Sequence, residues 1–326
     1  MPRLRLRCRG CGLTLSTFTD ASLDESGLLP EALARVQQAN TVLPYRQAAR
    51  LLASWGVLVS KSQAHRLSAG LEAANREVAR ETLSQRATMP LERTSRHTRR
   101  WVIEIDGVIV PTVEPAAPGK VVWREVKIAV LYKMNAPSGR FVVTHLGGTE
   151  DFGPLVHGLL RHAGVTQADQ LIGVSDGAVW IATLMGDLGV HQHILDVFHT
   201  SQYLEKLMVG LAWDEADRSS TRSALLRGEV DVRAWLNVNV PANPKLVDEA
   251  RGALSYLEKQ AELEHTTYPK FKAQGIEVIG SGQVEGANKS LIGARLKVSG
   301  AVERAGSQRQ GLRSSGVRGR ALRGRV

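Results

Sequence analysis

The chain has 326 residues, 43% of them hydrophobic and 23% charged, with a formal net charge of +10 and a pI near 9.9. That length accommodates a full α/β core with one or two smaller modules. No run approaches the roughly 20 apolar residues of a membrane span, and the basic start MPRLRLRCRGCG lacks the apolar core of a signal peptide, which excludes a membrane partner and leaves a cytoplasmic location as the expectation. The positive excess favours a polyanionic partner. Most of it sits in residues 301–326, which hold seven Arg against one Glu, so the body of the chain is only mildly basic.

Residues 1–21 contain the two cysteines, Cys8 and Cys11, spaced C-x-x-C. The pair resembles one knuckle of a zinc ribbon. A closed zinc site needs four ligands, and neither a second C-x-x-C nor a His pair supplies the rest. Half of a zinc site, a remnant knuckle and a pair of free thiols all stay open. Residues 22–75 carry apolar side chains at helical spacing. Within them YRQAARLLASWG, a short VLV turn and SKSQAHRLSAGL give a support helix, a turn at Gly56 and a second helix that Ser60 can cap. This is a helix-turn-helix layout, with Lys61, Ser62, Gln63, His65 and Arg66 toward a DNA groove; an ordinary helical hairpin fits equally. Residues 76–100 are charged and read as a helix end and linker.

From Trp101 the period changes. WVIEIDGVIVPTVE, a β-rich run with a Gly turn after a strand that ends at Asp106, WREVKIAVLYK and GRFVVTHLGG suggest three strands in an antiparallel meander. DFGPLVHGLLRHAGV is a helix, QLIGVSDG a buried strand feeding another helix, and HQHILDVFHTSQYLEKLMVGL a short strand running into a third. The order β-β-β-α-β-α-β-α over 101–211 predicts an α/β, RNase H-like mixed sheet of five strands with helices on both faces. Residues 212–275 read as a helical insertion, 276–300 as the last core helix, and 301–326 as a disordered basic tail.

Three acids stand where such a core can place them together. Asp106 closes the run WVIEI, Asp176 follows LIGVS, and Glu285 lies in SGQVEGANKSL among small neighbours. A carboxylate cluster suits Mg²⁺, which prefers oxygen ligands, and two such ions can clamp the attacking and leaving oxygens of a phosphoryl transfer. Against this, an Asp-Gly pair is commonly only a turn, and a lone helical Glu is commonly only solvated. Lys289 and Arg295 can reach phosphates from the same helical face. Asp196 and His199 in ILDVFH follow a strand and open a helix, which suggests a supporting role. Trp180 reads as core, with base stacking as the alternative.

The series SDGAVWI, ILDVFHTSQYL, YPKF and GSGQVEGANKSLIGARLKVSG resembles bacterial insertion-sequence transposases of the ISKra type, over about Leu28 to Gly300. The resemblance implies a DDE enzyme whose metal-binding acids are Asp106, Asp176 and Glu285, with Mg²⁺ or Mn²⁺ as cofactor. It implies cleavage and joining of DNA at the element's ends, a homo-oligomer that pairs two ends, and a nucleoid-associated location in a bacterial cytoplasm. It also likens the helical stretch to a DNA-binding region and Cys8 and Cys11 to the end of a zinc-knuckle segment. The chain begins inside that segment, and an Arg/Gly/Ser-rich tail replaces the family's Trp-containing helix after RLKVSG, which implies a frameshifted or decayed reading frame. A non-catalytic DNA-binding relative and an RNase H-like nuclease remain the rival readings.

Overall fold

The computed structural model describes residues 5–7, 14–16, 28–94, 98–112, 121–242 and 244–293. The chain divides into two units, residues 1–75 and 76–326. In the first, strands β1 (Arg5–Arg7) and β2 (Thr14–Ser16) pair antiparallel. Cys8 and Cys11 lie outside the described residues. Helices α1 (Pro30–Val42) and α2 (Tyr45–Ser54) pack with the start of α3 (Lys61–Ala87) around Val36, Ala39, Ala48, Leu52 and Val57. Gly56 turns the chain between α2 and α3 at φ +77°, a left-handed conformation that glycine takes without strain.

The start of α3 has a reciprocal cap. Gln63 N–H donates to Ser60 Oγ, and Ser60 N–H donates to Gln63 Oε1, at 3.1 and 2.9 Å. Asn40 on α1 donates to Ala64 O and Ser68 Oγ on α3, which fixes the two helices together.

In the second unit, α3 continues to Ala87, well into the stretch expected to be a helix end and linker. The reason is packing. Leu83 is buried with Trp101, Phe152 and Leu159, and Gly158 lets the following helix approach the Leu83 carbonyl so closely that a Cβ would collide with it. The sheet follows: β3 (Arg100–Thr112), β4 (Val122–Lys133), β5 (Ala136–Leu146), α4 (Thr149–His162), β6 (Gln170–Ser175), α5 (Val179–Asp187), β7 (Gln192–Leu195) and α6 (Val197–Gly210). Strand order is β5-β4-β3-β6-β7, with β3/β4 and β4/β5 antiparallel and β3/β6 and β6/β7 parallel. This is the expected RNase H-like α/β sheet.

Alternation along the strands sends side chains to opposite faces. Trp101, Ile103 and Ile105 pack on one side with α4 and α5, while Val102, Val108 and Val110 pack on the other with α6 and the later helices. Those are α7 (Glu215–Leu226), α8 (Val232–Asn239), α9 (Asp248–Glu262) and α10 (Tyr268–Ala273), followed by α11 (Gly282–Ala287) and a π-helical turn, Asn288–Gly293. Helices thus cover both faces, with a helical insertion before the last acidic helix. Among the described residues no helix is long and apolar enough to cross a membrane.

One local expectation is corrected. The strand does not end at Asp106: Gly107 stays in the ladder opposite Lys127, and β3 runs on to Thr112. A Cβ at Gly107 would lie 2.1 Å from Glu125 Oε1, so the glycine makes room for the Glu125–Lys127 ion pair across the strand instead of making a turn.

Candidate metal-binding active site

Strand register creates the site. Glu104 pairs with Val174 across the parallel β3/β6 ladder, and Ser175 pairs with Leu195 across β6/β7. Carried on at the same registers, Asp176 and Asp196, which directly follow the C-terminal ends of β6 and β7, come level with Asp106 in the middle of β3. The start of the β3/β6 pairing is pinned by Asp169, whose carboxylate accepts from Arg99 N, Nε and Nη2 and from Thr166 N and Oγ1. Burial alone would raise Asp169; the Arg99 and Thr166 hydrogen bonds outweigh it and hold the carboxyl below the ordinary range.

A cleft of about 190 Å³ opens at this row, lined by Asp106, Asp176, Asp196, His199, Ser281 and Glu285 among others. Asp106 is half-buried and its pKa is raised, first by burial and also by the nearby Asp176 charge. Its Oδ1 accepts from Gly107 N–H at 2.7 Å and its Oδ2 from the Asn288 side chain. Asp176 Oδ1 accepts from Ala178 N–H at 2.9 Å, which closes the turn into α5. Tyr256 on α9 donates to the Asp176 carbonyl at 2.5 Å, so the helical insertion braces that turn from behind. Ser175 and the half-buried His193 are joined at 2.8 Å beneath it, and Ser175 Oγ accepts from Gly177 N–H.

Asp196 is level with the other two but is occupied. Its Oδ1 accepts from His199 N–H, and its Oδ2 accepts from Ser281 N–H and Oγ–H. Burial pushes Asp196 up, yet the His199 and Ser281 hydrogen bonds bring it to about 2. It is therefore a fixed anion that fastens α6 and the start of α11. His199 Nδ1 lies 3.7 Å from Asp196 Oδ1. That carboxylate, with smaller contributions from Asp176 and Asp106, lifts the imidazole above its ordinary pKa against the effect of burial.

Glu285 reaches the same cleft from α11, with its carboxylate paired to Lys289 Nζ at 2.7 Å, one turn along. Arg295 lies outside the described residues, as do residues 301–326. No three His, Cys, Asp or Glu side chains among the described residues already stand at metal-ligating range. The donor set nevertheless fits a hard cation. It is all carboxylate oxygen, and Asp106 is half-desolvated beside a second carboxylate, a placement that a bound cation relieves.

Glu104 is the residue that sequence reasoning passed over. It is completely buried; its carboxylate accepts from Tyr132 Oη–H at 2.6 Å and from Val284 N–H at 2.7 Å. Burial raises it to about 7, against those hydrogen bonds. Together Glu104, Asp106 and Asp196 hold α11 against the sheet through Val284, Asn288 and Ser281. The signal was present: Glu104 lies two residues before Asp106 and so shares its face, and a charge inside WVIEI needs buried partners.

In the first unit, Lys61, Ser62, Gln63, His65 and Arg66 are all exposed at the start of α3. Two are already engaged, Gln63 in the cap and His65 edge-on to Tyr45 at 5.0 Å. Trp180 packs edge-on to Phe152, with Lys127 Nζ 4.7 Å from its ring, so the core reading of Trp180 holds.

No family model matches the chain. No curated protein matches it. Among solved structures it is similar to the strand transfer complex of the Drosophila P element transposase, with 11% identity over 77% of this chain and 67% of that one, TM-score 0.35. It is also similar to the Mos1 strand transfer complex, with 14% identity over 76% of this chain and 82% of that one, TM-score 0.18.

Proposed function

We propose that the chain is a DDE-type polynucleotidyl transferase, the transposase of a bacterial insertion sequence. The observation that carries this reading is the row of carboxylates. Strand register sets Asp106 beside the end of β6 that carries Asp176, and Glu285, on a helix fastened to that sheet, lines the same cleft. Asp106, Asp176 and Glu285 would hold Mg²⁺ or Mn²⁺, which would supply Lewis-acid stabilisation of the attacking and leaving oxygens.

The chain's own residues have the following roles. Asp196, held ionised, orients His199 toward the cleft and favours its protonated form, which can meet a phosphate oxygen. Glu104 sets the height of α11 and hence of Glu285. Tyr256 holds the Asp176 turn. Lys289 pairs with Glu285, and with Glu285 holding a metal its ammonium would be free to meet DNA backbone. The exposed start of α3 is the DNA-reading surface, with Lys61, Ser62 and Arg66 positioning and His65 and Gln63 at its edge. The chain works as a homo-oligomer on two element ends.

The test is a cleavage and joining assay on labelled DNA carrying the element's ends, with Mg²⁺ or Mn²⁺ and Asp176→Ala as control. Joined products that vanish in the control support the proposal. Cleavage without joining points to a hydrolytic nuclease. Binding without either points to a non-catalytic DNA-binding relative, the reading favoured by the Glu285–Lys289 pair if that pair persists in the presence of cation.

A further inference from the structure

The cleft holds an aromatic side chain that neither the metal site nor the core uses. Phe198 stands in the first turn of α6, between the buried Val197 and His199, and is 57% exposed. On the inward face of the helix Thr200, Leu204, Leu207 and Met208 are buried, and its other exposed apolar side chain, Val209, lies at the far end. Leaving much of a phenyl ring in water forgoes the hydrophobic gain of burying it. The ring is also backed. A Cβ at residue 280 would lie 3.3 Å from Phe198 Cε2, so Gly280 lets the backbone run against one part of the ring while the rest stays open.

The other aromatic side chains near the acids are committed. Trp180 packs between Phe152 and Lys127. Tyr256 stacks on Tyr203 at 4.0 Å and donates to the Asp176 carbonyl. Gln202 stands one turn beyond Phe198, on the same helical face, and lines the same cleft, exposed. An exposed ring and an exposed carboxamide are thus presented side by side, next to Asp106 and Asp176.

We propose that Phe198 and Gln202 form a nucleobase subsite, in which an unpaired base beside the reacting phosphate stacks on the Phe198 ring and turns its edge to the Gln202 carboxamide. This rests on the transferase reading given above. Base–aromatic stacking tolerates any base, because every base has a π-face, and a carboxamide offers both donors and an acceptor to a base edge. The surroundings select a nucleotide over an apolar protein segment. Asp106, Asp176, Asp196, His199, Ser281 and Glu285 rim the cleft, and an apolar partner would desolvate the Asp106 and Asp176 carboxylates without offering them a counter-charge. A nucleotide carries its own phosphate, which reaches the carboxylates through a divalent cation.

The experiment uses the full chain, a single-stranded oligonucleotide of generic sequence containing one 2-aminopurine, and Ca²⁺ as the cation. Stacking on Phe198 quenches the fluorescent base on binding. Phe198→Ala is expected to lose the quench and about tenfold in affinity, within the range of measured base–aromatic contacts, while Phe198→Trp keeps both. Gln202→Ala is expected to keep the quench and level the preference among bases placed at the probe position. Phe198→Ala binding and quenching like the wild type would overturn the subsite, as would an unquenched base on the wild type. Strand transfer by the wild type is scored separately. An active chain with an unquenched base overturns only the subsite, and a quenched base on an inactive chain overturns only the transferase.

Discussion

Gly177→Ala separates two physical costs at the turn that carries Asp176. Gly177 has φ +79°, and a Cβ there would lie 2.6 Å from Tyr256 Oη, 2.7 Å from Leu195 Cδ1 and 3.0 Å from Gln260 Nε2. The left-handed backbone costs a residue with a Cβ roughly 1–2 kcal/mol. Forcing a methyl into occupied space costs roughly 1–3 kcal/mol more. The expected loss is therefore on the order of 2–5 kcal/mol. Gly164 supplies the internal control, because its φ is +76° with nothing within 4 Å of a Cβ. Gly164→Ala should cost only the backbone part, about 1–2 kcal/mol. Urea denaturation of the two variants at matched m-values measures the difference. The Tyr256 hydroxyl that must move also holds the Asp176 carbonyl, so Gly177→Ala should weaken Mn²⁺ binding while Gly164→Ala leaves it unchanged. Equal destabilisation by both variants would refute the close packing of α9 against the Asp176 turn.

Three further outcomes are expected. Asp169→Asn should lower stability by roughly 2–4 kcal/mol in urea at neutral pH, because the carboxylate serves both Arg99 and Thr166. Since its pKa is depressed, the wild-type contribution is present above the ordinary carboxylate pKa and is lost as pH falls below it, so the variant should show a shallower acid limb. His193 has its pKa lowered to about 3, by burial first and then by His265. Its contribution is present above the ordinary imidazole pKa and is lost as pH falls toward 3. His193→Asn should flatten the fall in denaturation midpoint between neutral and mildly acidic pH. Ser60→Ala removes one half of the cap on α3 and should cost about 1 kcal/mol in the N-terminal unit, read by thermal melting of the α-helical signal.

Much of this architecture was legible from periodicity. The change from helical spacing to alternation at Trp101 marked β3, and the strand-helix order through Leu211 predicted the sheet. The Ser60 cap and the Gly56 turn followed from residue chemistry alone. Three features did not follow. The Asp106-Gly107 pair looked like a strand end because Asp and Gly suit turns, whereas Gly107 is there to clear Glu125 from a neighbouring strand. The α3 continuation to Ala87 depends on Leu83 finding the α4 face, a tertiary contact hidden in a charged sequence. Asp196 reads locally as a helix cap, and its second task, holding Ser281, spans 85 positions of chain. The three acids were individually ambiguous, since each has an ordinary explanation within its own segment. Register made Asp106 and Asp176 neighbours, and the grip of Glu104 on Val284 fixes α11 so that Glu285 lines the same cleft.

The most direct test of the central claim is the Mn²⁺ affinity of the full chain, compared with Asp106→Asn, Asp176→Asn and Glu285→Gln, by titration followed with electron paramagnetic resonance. If the three carboxylates form one site, each variant loses at least about tenfold in affinity while its urea midpoint stays close to wild type. An unchanged affinity in Glu285→Gln would mean that Glu285 keeps to Lys289 and would contradict the account.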